Sequence, residues 1–404
     1  MPLTAHPILR TAPSRLRIDD VSPARRPIGR LLTYVRRVRR SWRWGVLVAL
    51  VAAFVALPFV LARLPVGSTG SDAAETLRRV EQSVDRPYSG YAETTGTLGL
   101  PVSDGLDTLA SLLGGRTQQR VWWRSSTDWR ADTITPTGEE GAHTTATARA
   151  VWDYEDNRAV VTEADLDGAV RLPRAADTLP PLLAARLLSE ARPTQVSTLP
   201  AARVAGRAAD GLRLRPGDPL SSIDRVDVWA DRESGIPVRV DVYGRGATKA
   251  ALSSTFLDFD DSAPSASTTL FTPPPGARVR YGQRFDLVRQ IGRFPDRGLP
   301  STVLGYPRAA SPDGLEGIGR YGRGVTQFAV GALPGGSAAS LRDQLLLARA
   351  AKKLPEGIAL SVGPVGLLLT DPAVTGESWL LTGTLIPAAL TRAATELRAA
   401  NGAA

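Results

Sequence analysis

The stretch RVDVWADRESGIPVRVDVY, Arg225–Tyr243, holds two runs of alternating apolar and polar residues on either side of the turn sequence DRESGIP. In each run the valines share one face of an extended chain. Asp227, Trp229, Arg239 and Asp241 share the opposite face. Alternation with a period of two is typical of antiparallel strands that bury one side. The stretch therefore predicts a hairpin, Ile223–Ala230 with Pro237–Tyr243, inside an antiparallel sheet that has one buried face.

The same period of two continues on both sides of this hairpin. Further strands are predicted at Gly90–Leu98, Gln119–Ser125, Trp129–Thr133, Ala146–Tyr154, Arg158–Glu163, Ala202–Val204, Gly211–Arg215 and Ala251–Asp258. A helix is predicted after Ser71 or Asp72, because Glu75 lies three residues beyond Asp72 as in a capping box. A second helix is predicted at Leu182–Glu190, between proline residues. These elements predict a meander of strands with two helices.

A smaller unit is predicted after the proline-rich sequence FTPPPG at residues 271–276. Its strands are predicted near Tyr321–Val330, Gly366–Thr370 and Ser378–Thr384, and its helices at Ser340–Lys353 and Pro387–Ala399. The sequence Gly317–Gly322 matches G-x-G-x-x-G, but a strand-like run follows it, where a dinucleotide site needs a helix. We therefore interpret this motif as part of a glycine-rich hairpin.

Towards the N terminus lies an uncharged run of 19 residues, Trp44–Ala62. As a helix it would span roughly 29 Å, the thickness of a bilayer core. The 43 residues before it hold eleven arginines against two aspartates, a net +9. Positive charge stays on the cytoplasmic side, so we expect a single-pass cell-membrane protein with its bulk outside. A cleaved signal peptide ending at Ala62 is the alternative, but the basic region is long for one.

These patterns divide the chain into five predicted parts. They are a basic cytoplasmic tail (1–43), a transmembrane helix (44–62), a first domain (71–277), a linker (278–300) and a small α/β domain (301–404). In the tail we expect contact with anionic lipid head groups through Arg36, Arg37, Arg39, Arg40 and Arg43. No aromatic interleaving supports nucleic-acid binding by this tail, so no nucleic-acid partner is predicted.

Few residues that carry chemistry are present. The chain has no cysteine, which excludes disulfides and thiolate catalysis, and its two histidines are His6 and His143. His143 lies in a polar segment, and we interpret it as a surface residue rather than a member of a triad. No zinc, cofactor or metal motif appears. Acidic pairs such as Glu139-Glu140, and those at 165/167 and 258–261, leave a hydrolase as a minor alternative. We predict that the protein is not an enzyme and needs no cofactor.

Tryptophans on the predicted strands are the candidate ligand-binding residues. They are Trp122, Trp123, Trp129, Trp152 and Trp229. Adjacent residues of a strand point to opposite faces, so Trp122 and Trp123 face different sides. Ordinary core packing would account for these rings. Alternatively, a bent sheet leaves an apolar hollow in which the rings receive an acyl chain.

Several segments resemble the LolA/RseB (MucB) superfamily. They are QQRVWWRSSTDWRADT (Gln118–Thr133), ARAVWDYEDNRAVV (Ala148–Val161) and the last segments of the first domain, PVRVDVY…FLDFD…FTPPPG. Tyr321–Val330 and the later LTGTLIPAALTRAA are similar to the C-terminal domain of RseB-type proteins. The resemblance implies an α+β fold, with a half-open antiparallel β-barrel, helices that plug its mouth and a smaller α/β domain. It also places Arg130 where the family has a strand arginine, beside the aromatic residues.

The resemblance further implies binding rather than catalysis. We identify the chain as an RseB-like protein of the membrane-anchored, actinobacterial type. We expect it to bind lipid or lipoprotein acyl chains as a sensor or local carrier. Its partner would be a membrane protein such as an anti-sigma factor, in an envelope-stress response. The alternative is an interaction or assembly subunit of a membrane complex, for instance a transporter, without a ligand cavity.

Overall fold

A computed structural model describes residues 44–52, 54, 67, 72–97, 114–135, 138–164, 173–282, 298–310, 315–348, 350–372 and 377–402. The chain divides into two compact units, Met1–Arg63 and Leu64–Ala404. In the first unit residues 44–52 are helical. The tail arginines, residue 53 and residues 55–62 of the predicted membrane helix lie outside the described residues. No helix in the described part of the chain is both long and apolar enough to cross a bilayer.

Twelve strands form one sheet in the unit Leu64–Ala404. In chain order they are β1 Tyr88–Gly96, β2 Arg116–Ser125, β3 Asp128–Thr135, β4 Gly138–Thr144, β5 Ala148–Asp153, β6 Arg158–Glu163, β7 Val196–Val204, β8 Arg207–Leu214, β9 Ile223–Asp231, β10 Pro237–Gly244, β11 Leu252–Asp260 and β12 Arg278–Tyr281. Their order across the sheet is 12-6-5-4-3-2-1-11-10-9-8-7. The edge strands β12 and β7 do not pair with each other, so among the described strands the sheet is open rather than a closed barrel.

Two helices pack on one face of the sheet, which we call the inner face. They are α1 (Ala73–Gln82) and α2 (Pro180–Leu188). Leu77 of α1 and Leu183 of α2 belong to one buried cluster with Val228 and Val240 of the sheet. The alternating valines of β9 and β10 thus supply the buried face that the sequence predicts, and the predicted hairpin is confirmed.

The start of α1 shows why its sequence forms a helix there. The side chain of Asp72 accepts a hydrogen bond from the backbone N–H of Glu75 at 2.7 Å, which satisfies a donor that a helix start leaves free. Glu75 itself bonds the guanidinium of Arg78, with 2.6 Å between Oε1 and Nη2. The predicted cap at Asp72 is therefore confirmed, but Glu75 turns to Arg78 instead of completing the capping box.

A buried polar layer fixes the approach to α2. The chain enters α2 through a 3-10 helix, Ala175–Thr178. The hydroxyl of Thr178 donates to Gln119 Oε1 at 3.2 Å, and that of Thr94 donates to the Thr178 carbonyl at 3.3 Å. All three side chains are buried on the sheet. Because buried polar groups are costly unless paired, these bonds define where α2 begins relative to β1 and β2.

The opposite, outer face of the sheet is crossed by the segment after β11. This segment contains a short helix, α3 (Ala266–Thr269), and then β12, which runs parallel to β6. Every other neighbouring pair in the sheet is antiparallel. Strand β12 begins at Arg278, inside the range predicted as a linker, and residues 283–297 of that range lie outside the described residues.

The two edges of this sheet are irregular. The edge strand β7 has a register shift between Leu199 and Ala202, where it pairs with β8, and Pro200 lies in that shift. At the other edge β12 contributes only four residues, Arg278–Tyr281. Each edge therefore presents a short or interrupted strand.

A second sheet of six antiparallel strands follows, with the order 15-16-20-19-18-17. Its strands are β15 Ile318–Arg323, β16 Thr326–Leu333, β17 Ala351–Leu354, β18 Gly357–Val362, β19 Val365–Thr370 and β20 Ser378–Gly383, preceded by the hairpin β13 Thr302–Val303 and β14 Tyr306–Pro307. Helix α4 (Gly335–Leu347) packs on one face and α5 (Pro387–Gly402) on the other. With the first sheet, this gives a β-rich α+β fold.

The segment 218–222, between β8 and β9, contacts the second sheet. The N–H of Ser222 donates to the Thr384 carbonyl at 3.0 Å, and that of Ile386 donates to the Leu220 carbonyl at 2.9 Å. The phenol of Tyr306 donates to the carboxylate of Asp218. Leu220 packs against the core of the second sheet. Backbone and side-chain bonds thus join the two sheets within one compact unit.

Candidate functional site

Six residues lie directly opposite one another across six neighbouring strands of the large sheet. We call them the inner-face row: Tyr88, Trp123, Trp129, Thr144, Arg149 and Thr162, on β1 to β6 in turn. Opposed residues of antiparallel strands point to the same side, so their side chains share one face. The register carries this face through to Val228 and Val240, on which α1 and α2 pack.

A β-bulge in β2 sets this register. Trp123 pairs with Trp129 and Ser125 pairs with Asp128, so Arg124 is an extra residue between the two pairs. The guanidinium of Arg124 bonds Asp128, with 2.7 Å between Nε and Oδ2, and the carbonyl of Pro264 at 2.6 Å. Because of the extra residue, Trp129 rather than its neighbour comes to lie opposite Trp123.

The aromatic part of the row is a stack. The ring centroids of Tyr88 and Trp123 are 5.9 Å apart with planes inclined by 12°, and those of Trp123 and Trp129 are 5.8 Å apart at 19°. Phe256 meets the Tyr88 ring edge-on, with 5.9 Å between centroids. Such offset and edge-on contacts are favourable beyond the area they bury. The stack is a buried apolar array on the inner face, in one cluster with Leu179 just before α2.

Polar atoms of the same row are buried without a hydrogen-bond partner among the described residues. They are Tyr88 Oη, Trp123 Nε1 and Thr144 Oγ1. The exposed fraction is 1% for Tyr88, 4% for Trp123 and 5% for Thr144. Burial raises the pKa of the Tyr88 phenol, so it stays a protonated donor. A buried donor left without an acceptor costs about 1–3 kcal/mol, which a ligand oxygen or an ordered water would recover.

Of the six residues that the sequence indicates as ligand-binding, Trp123 and Trp129 come together in the row. Trp122, Arg130 and Trp152 lie on the outer face, because the bulge at Arg124 aligns Trp122 with Arg130. That any of these six residues contacts a ligand stays a prediction.

Trp229 lies on the outer face too, but three strands separate β9 from β2. Its Nε1 donates to the Pro200 carbonyl at 3.1 Å. The guanidinium of Arg239 lies 4.8 Å from its ring centroid. These contacts account for the position of the ring within the sheet, and its role as a ligand contact also stays a prediction.

Arg130 is the centre of a polar cluster on the outer face. Its Nε bonds Asp132 Oδ1 at 2.8 Å, its Nη2 bonds Tyr154 Oη at 2.9 Å, and its guanidinium lies 4.9 Å from the Trp122 ring centroid. Burial acts to lower the pKa of Arg130, but the bonds to Asp132 outweigh it and raise the pKa. The charge of Arg130 is thus already engaged within the sheet.

The prediction of a surface position for His143 is wrong. His143 is 5% exposed, because the segment around α3 covers it on the outer face. Its Nδ1–H donates to the Thr269 carbonyl at 2.9 Å, and its ring lies 5.3 Å from that of Phe271. Burial lowers the pKa of His143, so the imidazole is neutral at neutral pH. It acts as a structural contact between β4 and α3.

The acidic pairs of the hydrolase alternative do not form a cluster in the described part of the chain. Asp261 pairs with Arg207 at 3.1 Å, and Asp260 accepts from the Ser262 N–H at 2.9 Å. No group of three or more His, Asp or Glu residues that could hold a metal occurs among the described residues. The pair at 165 and 167 lies outside the described residues.

A second concave site lies where the segment 218–222 meets the second sheet. Its volume is about 780 Å³. Its lining includes Leu187 of α2, Tyr306 of β14 and Val325 just before β16, together with the charged Arg192 and Arg323. The size and mixed lining suit a peptide segment as well as a small molecule.

Residues 145–261 match the family model of the MucB/RseB N-terminal domain. Among solved structures, the complex of MucA with MucB from Pseudomonas aeruginosa shares 15% identity, with 80% of this chain and 96% of that chain covered and a TM-score of 0.46. A LolA superfamily protein from Nitrosomonas europaea shares 9% identity, with 50% of this chain and 99% of that chain covered and a TM-score of 0.23. Comparison with curated protein sequences gives no match.

The family match includes strands β5 to β11 and therefore much of the large sheet. It confirms the resemblance that the sequence indicates. Residues 145–261 are thus similar to the MucB/RseB N-terminal domain.

Sequence reasoning missed four members of the row: Tyr88, Thr144, Arg149 and Thr162. Tyr88 opens β1 directly after Pro87, and Thr144 and Arg149 flank the turn between β4 and β5. Whether each of these residues belongs to the row depends on the strand register, which the sequence alone does not show. The bulge at Arg124 sets that register, and no local sequence signal marks it.

Proposed function

We propose that this protein is a non-enzymatic, membrane-anchored, extracytoplasmic binding protein that receives the acyl chain of a lipid or lipoprotein on the inner face of its large sheet. The observation that carries this proposal is the buried aromatic stack of Tyr88, Trp123 and Trp129 on an open sheet. The match to an RseB-type domain supports a role in binding and regulation. The protein would act as a sensor or local carrier.

The free energy of burying hydrocarbon sets the shortest acyl chain that would bind with useful affinity. Each buried CH₂ group contributes about 0.8 kcal/mol, and association itself costs at least about 4 kcal/mol. Ten methylenes give roughly 8 kcal/mol before that cost. We therefore expect useful affinity only for acyl chains clearly longer than ten carbons, as in membrane lipids and lipoproteins.

The partner in this proposal is a membrane protein such as an anti-sigma factor, as the RseB resemblance implies. The cleft beside the segment 218–222 supports this part, because its volume of about 780 Å³ and its lining by Leu187, Tyr306 and Arg323 suit a partner peptide. The segment also joins the two sheets, so a peptide bound there would contact both. An interaction subunit without a lipid ligand is the second candidate, and the same cleft favours it.

Native mass spectrometry of the full chain, before and after organic extraction, tests the lipid proposal. We expect an extractable mass of lipid size on the wild-type protein. The double variant Trp123→Leu/Trp129→Leu should lose it. The matched control, Trp122→Leu/Trp152→Leu, removes two tryptophans from the outer face and should keep it.

Two outcomes would contradict the proposal in different ways. A wild-type protein that is free of lipid, and stays free when lipid is added, leaves the interaction-subunit function. Equal loss of lipid from both folded double variants shows that the inner face is not the binding surface. Circular dichroism of each variant establishes that it is folded.

A further inference from the structure

We infer that a partner protein adds an extended segment, as one more strand, to the free edge of β7 beside the cleft at the segment 218–222; this inference rests on the proposed function. The added segment would pair with the backbone of Val196 and Thr198 and place apolar and acidic side chains in the cleft. The proposed function names the cleft as a site for a peptide. It states neither how the peptide is held nor which side chains it carries.

The hydrogen-bond pattern of β7 leaves backbone groups at its outer side. β7 is an edge strand of the large sheet. The N–H of Arg215 donates to the Gln195 carbonyl at 2.9 Å, so these two opposed residues form a hydrogen-bonded pair that continues the register of β7 with β8. In an antiparallel ladder such pairs alternate with pairs whose N–H and C=O groups point away from each other. Val196 and Thr198 hold the alternate positions, so their four backbone groups point to the free edge.

The free stretch of this edge is short and open. Outside the ladder, no backbone hydrogen bond to Val196 or Thr198 occurs in the described part of the chain, and the side chain of Thr198 is exposed. Pro200, two residues further on, has no N–H, and the register with β8 shifts there. Unpaired N–H and C=O groups at a sheet edge bind an extended peptide through its backbone. This edge therefore suits a short added strand and not a long one.

The cleft lies at the N-terminal end of the free stretch. Gln195, the residue before β7, lines the cleft, and so does Leu214, which lies opposite Val196. Tyr306 and Val325 of the second sheet and its approach belong to the same lining. The cleft volume of about 780 Å³ is in the usual range of binding sites. A strand that follows β7 towards its N-terminal end would therefore bring its next side chains against this apolar lining.

The exposed charges of the cleft favour an acidic residue on the partner. Arg192 and Arg323 are exposed in the lining, and neither forms a salt bridge with another described residue. The carboxylate of Asp218 already accepts a hydrogen bond from the Tyr306 phenol. Two guanidinium groups are thus matched by one exposed carboxylate, that of Glu190. Since a guanidinium pairs well with a carboxylate, an acidic side chain of the partner complements the remaining positive charge.

Selection from a random library of short peptides tests this inference without knowledge of the partner. The target is the full chain in phosphatidylcholine nanodiscs, and empty nanodiscs remove peptides that bind lipid. We expect enriched peptides to combine apolar residues with an acidic one. Fluorescence anisotropy then gives the Kd of each enriched peptide.

Variants of the chain identify the groups responsible. Thr198→Pro removes one outward N–H and leaves the bonds of β7 to β8 in place, so it should weaken peptide binding about tenfold. The matched control Thr198→Val keeps the N–H and should bind as the wild type does. Arg192→Met/Arg323→Met should weaken binding about fivefold. Arg116→Met removes an exposed charge on β2 and should change nothing.

A second measurement changes the peptide instead of the protein, so it stays decisive if Thr198→Pro does not fold. Only every second residue of an added strand turns its backbone groups towards β7. Methylation of the backbone nitrogens in one alternating set should therefore weaken binding about tenfold or more. Methylation of the other set, on the same enriched peptide, should leave the Kd unchanged.

Each contrary result has a separate meaning. If no peptide is enriched over empty nanodiscs, the peptide-binding part of the proposed function fails together with this inference, and lipid binding to the inner-face row is unaffected. If enriched peptides tolerate Thr198→Pro, or tolerate both methylation patterns equally, the cleft binds peptides but strand addition is overturned. If Arg192→Met/Arg323→Met binds as the wild type does, the acidic character of the partner segment is wrong.

Discussion

The extra residue of strand β2, Arg124, lies between the ladder pairs Trp123–Trp129 and Ser125–Asp128. Without it, the pairing of Ser125 with Asp128 would continue so that Arg130 lay opposite Trp123. The inner face would then carry a guanidinium in place of an indole. One inserted residue thus exchanges the two sides of β3, since side chains alternate with a period of two.

His143 provides a prediction of how stability depends on pH. Burial places the pKa of His143 in the folded protein below its unfolded value of about 6.5. Above about pH 6.5 the imidazole of His143 is neutral in both the folded and the unfolded protein, so its burial does not lower the free energy of unfolding. As the pH falls below this value, the unfolded state gains a proton and the folded state does not, so the free energy of unfolding decreases by up to about 1.4 kcal/mol per pH unit.

Urea unfolding of the full chain at pH 7.5, 6.5 and 5.5 measures this effect. We expect the stability difference between wild type and His143→Gln to shrink as the pH falls. His6→Gln, which removes the other histidine, serves as the control and should follow the wild type. Parallel curves for wild type and His143→Gln would show that this imidazole does not titrate differently on folding.

The sequence predicts several strands well where one face is apolar and turns are marked. Strands β9 and β10 begin at the predicted Ile223 and Pro237, and α2 lies within two residues of its predicted bounds. Such segments are predictable because alternation and proline positions are local properties. The prediction that tryptophans on strands form the candidate site also depends only on local sequence.

Other elements depend on pairing that local sequence does not show. Strand β4, Gly138–Thr144, is missed, because its sequence GEEGAHT has no alternation and gains its place only between β3 and β5. The run predicted as one strand, Tyr321–Val330, is a hairpin with its turn at Gly324, which has a positive φ of 53°. The predicted helix to Lys353 ends at Leu347, and Ala351 begins β17.

Gly90 of β1 allows the close approach of β1 to β11, and its substitution gives a second prediction. A Cβ at Gly90 would lie 2.5 Å from the Asp258 carbonyl oxygen and 2.9 Å from Phe256 Cδ1. The backbone oxygen cannot move away without breaking the ladder at the bulge between Tyr91 and Ala92. We expect Gly90→Ala to lower the free energy of unfolding by about 1–3 kcal/mol, as overpacking does.

Chemical denaturation of Gly90→Ala beside Gly217→Ala checks this effect. A Cβ at Gly217 would meet only Gln195 Nε2, at 3.8 Å, so this control should lie within about 0.5 kcal/mol of the wild type. Equal stability of the two variants would mean that β1 and β11 can separate without cost.

The segment 218–222 joins the two sheets within the compact unit of residues 64–404, and we expect the two sheets to unfold together. Far-UV circular dichroism reports both sheets, and tryptophan fluorescence reports mainly the larger one. Their denaturation curves should coincide for the wild-type chain.

The variant Leu220→Asp should separate the two curves, because it places a carboxylate against the core of the second sheet. Leu347→Asp makes the same change on α4 at a side chain that is 85% exposed, and its curves should still coincide. Curves that already differ in the wild type would show that the segment does not couple the sheets.

The irregular edges of the large sheet also affect how copies of the protein behave beside one another. An uninterrupted edge strand offers backbone groups that recruit a strand from a neighbouring molecule, which is a route to fibrils. Pro200 has no N–H to offer and interrupts β7, and β12 exposes only four residues. The sheet can therefore remain open for a ligand at high local concentration without polymerising through its edges.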